Sequence, residues 1–251
     1  MAEALLIIDN VSKSFGGLLA VDNVSFNVQL GRITALIGPN GAGKTTLFSI
    51  ISGFLPPDAG RIVFDGMDLT AEPPHQRARR GIARTFQIVQ PFAGLTVREN
   101  IAVGSHLSRR SRSEALAAAG NVAQSVGLGA QLEVPAVTLT VAGSKRLELA
   151  RALAIEPRLL LLDEVLAGLN PSEVRDMVPV IRALASSGMT ILMTEHVMQA
   201  VMSLADRAFV LAEGRVIAHG TPQQVAADRQ VVEAYLGQGA AKRMTAEVGH
   251  A

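Results

Sequence analysis

Eight consecutive residues, Gly38-Pro39-Asn40-Gly41-Ala42-Gly43-Lys44-Thr45, have the spacing G-x-x-x-x-G-K-[ST] of a loop that wraps phosphate. Glycines let backbone N–H groups turn inward around an anion where side chains would block its approach. A helix that follows such a loop adds the positive end of its dipole. Lys44 supplies a point charge for β- and γ-phosphates, and Thr45 offers a hydroxyl to Mg²⁺. An ordinary glycine turn has a similar composition. The apolar strand expected before Gly38 and the helix expected after it favour the phosphate reading.

The second reactive element is Leu159-Leu160-Leu161-Leu162-Asp163-Glu164. Four leucines predict a buried strand with two carboxylates at its carboxyl end, the edge where open α/β sheets carry ligands. Asp163 suits Mg²⁺, directly or through water, and Glu164 suits proton abstraction from an attacking water. Alone, such a run ends as readily in a solvated strand terminus; beside a phosphate loop the chemical reading prevails. Three single residues add to it. Gln87 is suited to orient water or touch Mg²⁺, although a lone Gln is ordinarily a surface residue. His196 follows a strand candidate and is suited to donate to a γ-phosphate, although such a His is more often structural. Phe15 is suited to stack on adenine, although with 8 Phe in the chain a core role is the default.

The elements that must position these residues have three textures. Residues from about 5 to 86 read as short strands around one loop and helix: Leu5–Val11, Val21–Val28, Arg32–Ile37 and Arg61–Phe64 as strands, with Asp65-Gly66 as a tight turn and Thr45–Ser52 as a helix. From about 88 to 155 the chain is alanine-rich and helical, with a helix over Ser113–Val126 and helical spacing at Leu147, Ala150, Leu153 and Ala154. From about 157 to 220, strands at Leu159–Leu162, Thr190–Thr194, Arg207–Leu211 and Arg215–His219 alternate with helices, one after Pro171. That alternation predicts a mostly parallel sheet covered on both faces. From Thr221 short helices follow, and Ala240–Ala251 is expected to fray.

Composition sets outer limits. Of 251 residues, 49% are hydrophobic and 18% charged, which suits a sizeable core. The net charge of +1 gives no global pull toward nucleic acid. The arginine clusters at Arg77, Arg79, Arg80 and Arg84 and at Arg109, Arg110 and Arg112 lack interleaved aromatics, so they read as solvated faces or partner contacts, not a nucleic-acid site. The absence of cysteine excludes disulfides, thiolate metal sites and cysteine catalysis. Met1–Asp9 lacks the order of a secretion signal, and no apolar run has the roughly 18–20 residues of a membrane span, so any membrane role is expected to come through docking on another chain.

Taken together, these residues resemble the nucleotide-binding subunits of ABC transporters over nearly the whole chain. Gly38 to Thr46 matches the family's P-loop, Gln87 its Q-loop, Asp163 and Glu164 its Walker B pair, Ala167-Gly168-Leu169-Asn170 its D-loop, His196 its switch histidine and Phe15 its adenine-stacking aromatic. Within the family the chain is most similar to branched-chain amino acid importer ATPases of the LivG type. That likeness lies in Phe15-Gly16-Gly17-Leu18-Leu19-Ala20-Val21, Gly81-Ile82-Ala83-Arg84-Thr85-Phe86-Gln87, Arg146 to Leu153, and Val232-Glu233-Ala234-Tyr235-Leu236-Gly237.

The resemblance implies an α/β fold: a RecA-like P-loop NTPase core (about 1–87 and 156–220), a helical subdomain (about 88–155) and a helical tail (221–251). It implies ATP and Mg²⁺ as ligands, with Glu164, His196 and Gln87 catalytic, and Thr45, Gln87 and Asp163 toward the metal. Phe15, Gly38, Pro39, Asn40, Gly41, Ala42, Gly43, Lys44, Thr45, Thr46, Thr140 and Gly143 would contact nucleotide. Implied partners are a second ATPase subunit, two transmembrane permease subunits and, indirectly, a solute-binding protein, with this chain peripheral on the cytoplasmic face of the membrane.

Two departures stand out. The signature Leu-Ser-Gly-Gly-Gln aligns with Leu139-Thr140-Val141-Ala142-Gly143, which keeps a hydroxyl but loses both glycines and the final Gln. Val165 stands where Pro is usual. The altered signature keeps open a nucleotide-binding regulatory subunit with little turnover. A soluble ATPase acting on ribosomes or DNA is opposed by the single cassette and the lack of long insertions.

Overall fold

The computed structural model describes residues 3–87, 90–109, 111–196 and 198–236. In chain order the first elements are β1 (Ala4–Phe15), β2 (Leu18–Gln29), β3 (Ile33–Ile37), α1 (Lys44–Ile51), β4 (Ala59–Phe64) and β5 (Met67–Asp68). Next come α2 (Pro74–Arg79), β6 (Ile82–Arg84), α3 (Val97–Ser105), α4 (Arg112–Ser125), α5 (Val141–Leu153), β7 (Leu159–Asp163) and α6 (Pro171–Ser186). Last are β8 (Thr190–Thr194), α7 (Met198–Leu204), β9 (Arg207–Ala212), β10 (Arg215–Gly220), α8 (Pro222–Ala227) and α9 (Arg229–Leu236). Two compact units result: residues 1–71 with 193–251, and residues 72–192.

In the first unit β1 and β2 form a long antiparallel hairpin closed at Phe15 and Leu18. Buried Val24, Phe26 and Val28 alternate with exposed Ser25 and Asn27, the period of a half-buried strand. β4 pairs with the other edge of β1 and turns into β5 through Asp65-Gly66, both left-handed (φ 51° and 76°), as a two-residue hairpin turn requires. β3 has all five residues buried, the mark of a strand covered on both faces. It pairs parallel with β9, which pairs antiparallel with β10. The all-antiparallel β1–β2–β4–β5 sheet was not signalled by strand–helix alternation, because β1 joins β2, and β4 joins β5, through tight turns, and the β3–α1 segment between β2 and β4 belongs to the phosphate loop.

The second unit holds β6, β7 and β8 in the order β8-β7-β6, with β6 and β7 parallel and the chain leaving the unit within β8. Its helices start on strong caps. Thr96 with Glu99, Ser111 with Glu114, and Asn170 with Glu173 each form a reciprocal capping box, and Pro171 takes the first turn of α6. Ala115, Ala119 and Ala123, one face of α4, are fully buried, so small side chains set its close approach to α3. The division at 71/72 and 192/193 differs from the texture changes near 88 and 155, since β6 and β7 sit in the same compact unit as α3, α4 and α5. Among the described residues no helix is long and apolar enough to cross a membrane. Arg110, Gly237 and the Ala240–Ala251 stretch lie outside the described residues.

Candidate functional site

The phosphate loop belongs to the first unit and joins β3 to α1. Its shape depends on two glycines. Gly38 (φ 154°) lies so close to the Leu211 carbonyl, and Gly43 (φ 102°) to the Ala20 carbonyl, that a Cβ at either would collide with backbone. The loop is thereby seated on β2 and β9. Gly214 N–H donates to Ala42 O at 3.1 Å, tying in the β9–β10 turn as well. Gly43 caps α1 without a side-chain bond, which leaves the helix start to an incoming anion. Lys44 is buried and its Nζ donates to Gly38 O at 2.7 Å and Pro39 O at 3.0 Å, bridging the loop it is expected to serve. Thr45 is exposed and Thr46 half-buried. Phe15, 48% exposed at the end of β1, has Lys13 Nζ 5.9 Å from its ring centroid. An aromatic face open to solvent in this way is available for stacking. His196 is exposed, one residue past the fully buried Glu195.

The acidic pair belongs to the second unit. β7 buries Leu159 to Asp163 completely and delivers Glu164 directly after them, in the left-handed region at φ 47°. A non-glycine residue in that conformation stores backbone strain of the kind found at functional sites. Gln87 Nε2 donates to Glu164 Oε2 at 2.8 Å. The structure therefore brings together two sequence candidates separated by 77 positions. Arg84 Nη2 donates to Asp163 Oδ2 at 2.8 Å, and Thr85 Oγ1 accepts from Asp163 N–H at 3.1 Å.

α5 begins at the altered signature. Thr140 Oγ1 accepts from Gly143 N–H at 3.1 Å and caps the helix, so the retained hydroxyl has a structural use in this state. Val141 is 60% exposed on the first turn. A Cβ at Gly143 would press on the Leu139 side chain at 3.3 Å, which suits this position to a glycine. One turn further, Lys145 is buried and its Nζ donates to Gln87 O at 3.2 Å and Glu164 O at 3.4 Å. Glu148, next on the same face, accepts from Phe86 N–H at 3.3 Å and pairs with Arg151 at 3.1 Å. Burial pushes the Glu148 carboxyl up from its ordinary value, against the pull of Arg151, the Phe86 amide and Lys145.

Sequence reasoning missed Arg84 and Lys145 as supports of the acidic pair, and Glu148 with Arg151 as an ion pair beside Phe86. Their one sequence signal was charge on helix or strand faces that otherwise read as apolar. Tyr235 of α9, placed by sequence only within a family-like stretch, has its phenol pushed up by burial, with the Gly38 amide pulling the other way.

The donor types fit the expected ligands. The loop gives the close backbone approach that a polyphosphate needs, since no side chain fits at Gly38 or Gly43. Thr45, Gln87 and Asp163 are all oxygen donors, which suits Mg²⁺. Among the described residues no group of three or more His, Cys, Asp or Glu forms a cage of its own. Mg²⁺ ordinarily binds through one or two protein groups plus substrate phosphates, so such a cage is not needed.

The ABC transporter family profile matches residues 21–167, and a profile described as branched-chain amino acid ATP-binding cassette transporter matches residues 215–241. The chain is 39% identical to the high-affinity branched-chain amino acid transport ATP-binding protein BraF of Pseudomonas aeruginosa, over 95% of this chain and 100% of that one. The same identity and coverage hold for LivG of Escherichia coli K12, which carries the same description. A crystal structure of the ADP conformation of MJ1267, an ATP-binding cassette of an ABC transporter, superposes with a TM-score of 0.86 at 32% identity, covering 94% of this chain and 100% of that one. On these matches the chain belongs to the ABC transporter family, as an ATP-binding cassette with ATPase activity.

Proposed function

We propose that this chain energises import of branched-chain or related amino acids, working with a second ATPase subunit beneath two permease subunits on the cytoplasmic face of a membrane and fed by a solute-binding protein. The observation that carries the cargo reading is the match at residues 215–241, a region outside the general ATPase motifs. The names of BraF and LivG support it. The test is uptake of labelled leucine, isoleucine and valine by cells with and without the gene. Loss of uptake restored by the wild-type gene, and not by a Glu164→Gln copy, supports the reading. Unchanged uptake of all three overturns the cargo assignment.

The chemistry follows from this chain's own groups. The P-loop amides and Lys44 bind the ATP phosphates and offset charge that builds on them. Phe15 stacks on the adenine. Glu164 takes the proton from the attacking water, and Gln87, donating to that carboxylate at 2.8 Å, fixes its rotamer. His196 donates to the γ-phosphate. Thr140 and Gly143 contact the nucleotide of the partner subunit. Thr45, Gln87 and Asp163 are the residues that would hold Mg²⁺, which would supply charge neutralisation to bound phosphate.

A second reading, a subunit that binds nucleotide with little turnover, is favoured by Val141 and Ala142 at positions where the family has glycine. The ATPase rate of the assembled complex separates the two.

A further inference from the structure

Arg84 is a buried cation to which the proposed chemistry gives no role. Its guanidinium and the Asp163 carboxylate approach to 2.8 Å, with side chains only 9% and 6% exposed. Strand register fixes the pair. Arg84 ends β6 and pairs with Leu161 of β7, Thr85 N–H donates to Leu161 O at 2.9 Å, and Asp163 N–H donates to Thr85 Oγ1 at 3.1 Å. The guanidinium also lies 5.4 Å from the centroid of the Phe86 ring. A cation anchored in this way is unlike a surface arginine that swings away at little cost. A divalent metal that reaches Asp163 therefore meets a carboxylate already compensated by positive charge, and the two cations repel.

We propose that Arg84 is a positioning residue that compensates Asp163 in the metal-free chain and thereby raises the Mg²⁺ concentration that nucleotide binding requires. The proposal rests on the assignment of Asp163 to the metal. Arg84 keeps the end of β7 folded around its acidic residue before nucleotide arrives, at the expense of metal affinity. It thus makes the metal requirement a property of the Arg84–Asp163 pair, not of Asp163 alone.

The experiment uses the full-length chain and reads ATP binding by calorimetry across a Mg²⁺ series beginning in EDTA. Arg84→Gln keeps an N–H donor and removes the charge. Its half-saturating Mg²⁺ concentration should fall about tenfold, the scale of losing one opposing charge–charge interaction of modest size, and its nucleotide-free form should melt earlier than wild type. Arg84→Lys keeps the charge and should stay near wild type, and if the Gln variant does not fold, Arg84→Met, which also lacks the charge, decides. A half-saturating Mg²⁺ at or above the wild-type value overturns the role of Arg84. Asp163→Asn separates the two assignments. If it abolishes the Mg²⁺ dependence while Arg84→Gln leaves it at wild type, the proposal for Arg84 fails and the metal reading stands. If Asp163→Asn keeps the full dependence, the metal reading fails, and the proposal with it.

Discussion

The loop before α1 and the end of β7 both hold charge, and they are built in opposite ways. The loop uses backbone: glycines at Gly38 and Gly43 where no Cβ fits, carbonyls that receive Lys44, and an uncapped helix start. The end of β7 uses side chains drawn from distant stretches: Gln87 on Glu164, Arg84 on Asp163, and Lys145 on the carbonyls of Gln87 and Glu164. A backbone site spreads its energy over many groups, so the loss of any one is graded. A side-chain site concentrates function in single atoms, so one substitution can remove a step.

The sharpest test of that contrast is Glu164→Gln. It keeps size and hydrogen bonding and removes only the base. Turnover of the assembled complex should fall roughly 10²–10⁴-fold if Glu164 is the general base, with ATP still binding. A rate close to wild type would place the base elsewhere and make His196 the next residue to change.

Lys44→Ala probes the other region and should do less. One charge-assisted contact, typically worth ~1.5–3 kcal/mol, is lost while the loop amides remain, so ATP affinity should drop roughly tenfold or more. Calorimetry on the isolated chain checks it. Unchanged affinity would break the phosphate-loop assignment. Complete loss of binding would break the claim that the backbone carries much of the grip.

The same contrast explains what could be read from sequence. The loop was legible residue by residue because backbone geometry demands glycine at fixed spacing. The strands Thr190–Thr194 and Leu159–Leu162 were legible because buried strands need continuous apolar runs. The buried charges around the acidic pair were not. Lys145 and Glu148 lie on a helix whose apolar positions read as an ordinary amphipathic face, and nothing in their spacing shows that they point inward. The pairing of Arg84 with Asp163 spans 79 positions and follows from the register of β6 against β7, which sequence pattern does not specify. The resemblance to a known family located Gln87, but not the bond it makes to Glu164.

A third test concerns α5, where a helix start has side chains at positions that the family fills with glycine. Thr140 already caps the helix through Gly143 N–H, and Val141 and Ala142 add bulk to its first turn. In a complex with a second ATPase subunit of intact signature, Glu164→Gln in this chain should cost more ATPase activity than the matching change in the partner. That ranking follows because this chain's signature serves the partner's nucleotide. Equal losses, or the reverse order, would show that Thr140–Gly143 serves adequately as it stands. Replacing Val141 and Ala142 by glycine should raise turnover at the partner's site while lowering the stability of α5, by roughly 0.5–1 kcal/mol per glycine relative to alanine.

The smallest effect belongs to a charged cluster of the first unit, next to Phe15 but without a proposed role in binding phosphate or in the chemical step. Asp58 accepts from Lys13 Nζ at 2.6 Å, Ser14 N–H at 2.7 Å and Ser14 Oγ at 3.0 Å, pinning the chain ahead of β4 to the far end of β1. The Lys13 hydrogen bond, followed by those from Ser14, holds its carboxyl down from 3.8 to about 2. Between those two pH values the unfolded chain binds more protons at this position than the folded chain, so stability rises with pH there. The contribution is complete above about 3.8 and disappears as pH falls through about 2. Asp58→Asn should therefore lower the urea midpoint slightly at neutral pH and flatten the acid limb of the midpoint-against-pH curve. The group is solvent-exposed, so screening keeps the effect small and salt should shrink it further. ATP affinity and turnover should not move. An Asp58→Asn chain with an unchanged acid limb would show that the Lys13 and Ser14 contacts add no net stability. A change in ATP affinity would show instead that this end of the β1–β2 hairpin, which carries Phe15, is coupled to nucleotide binding.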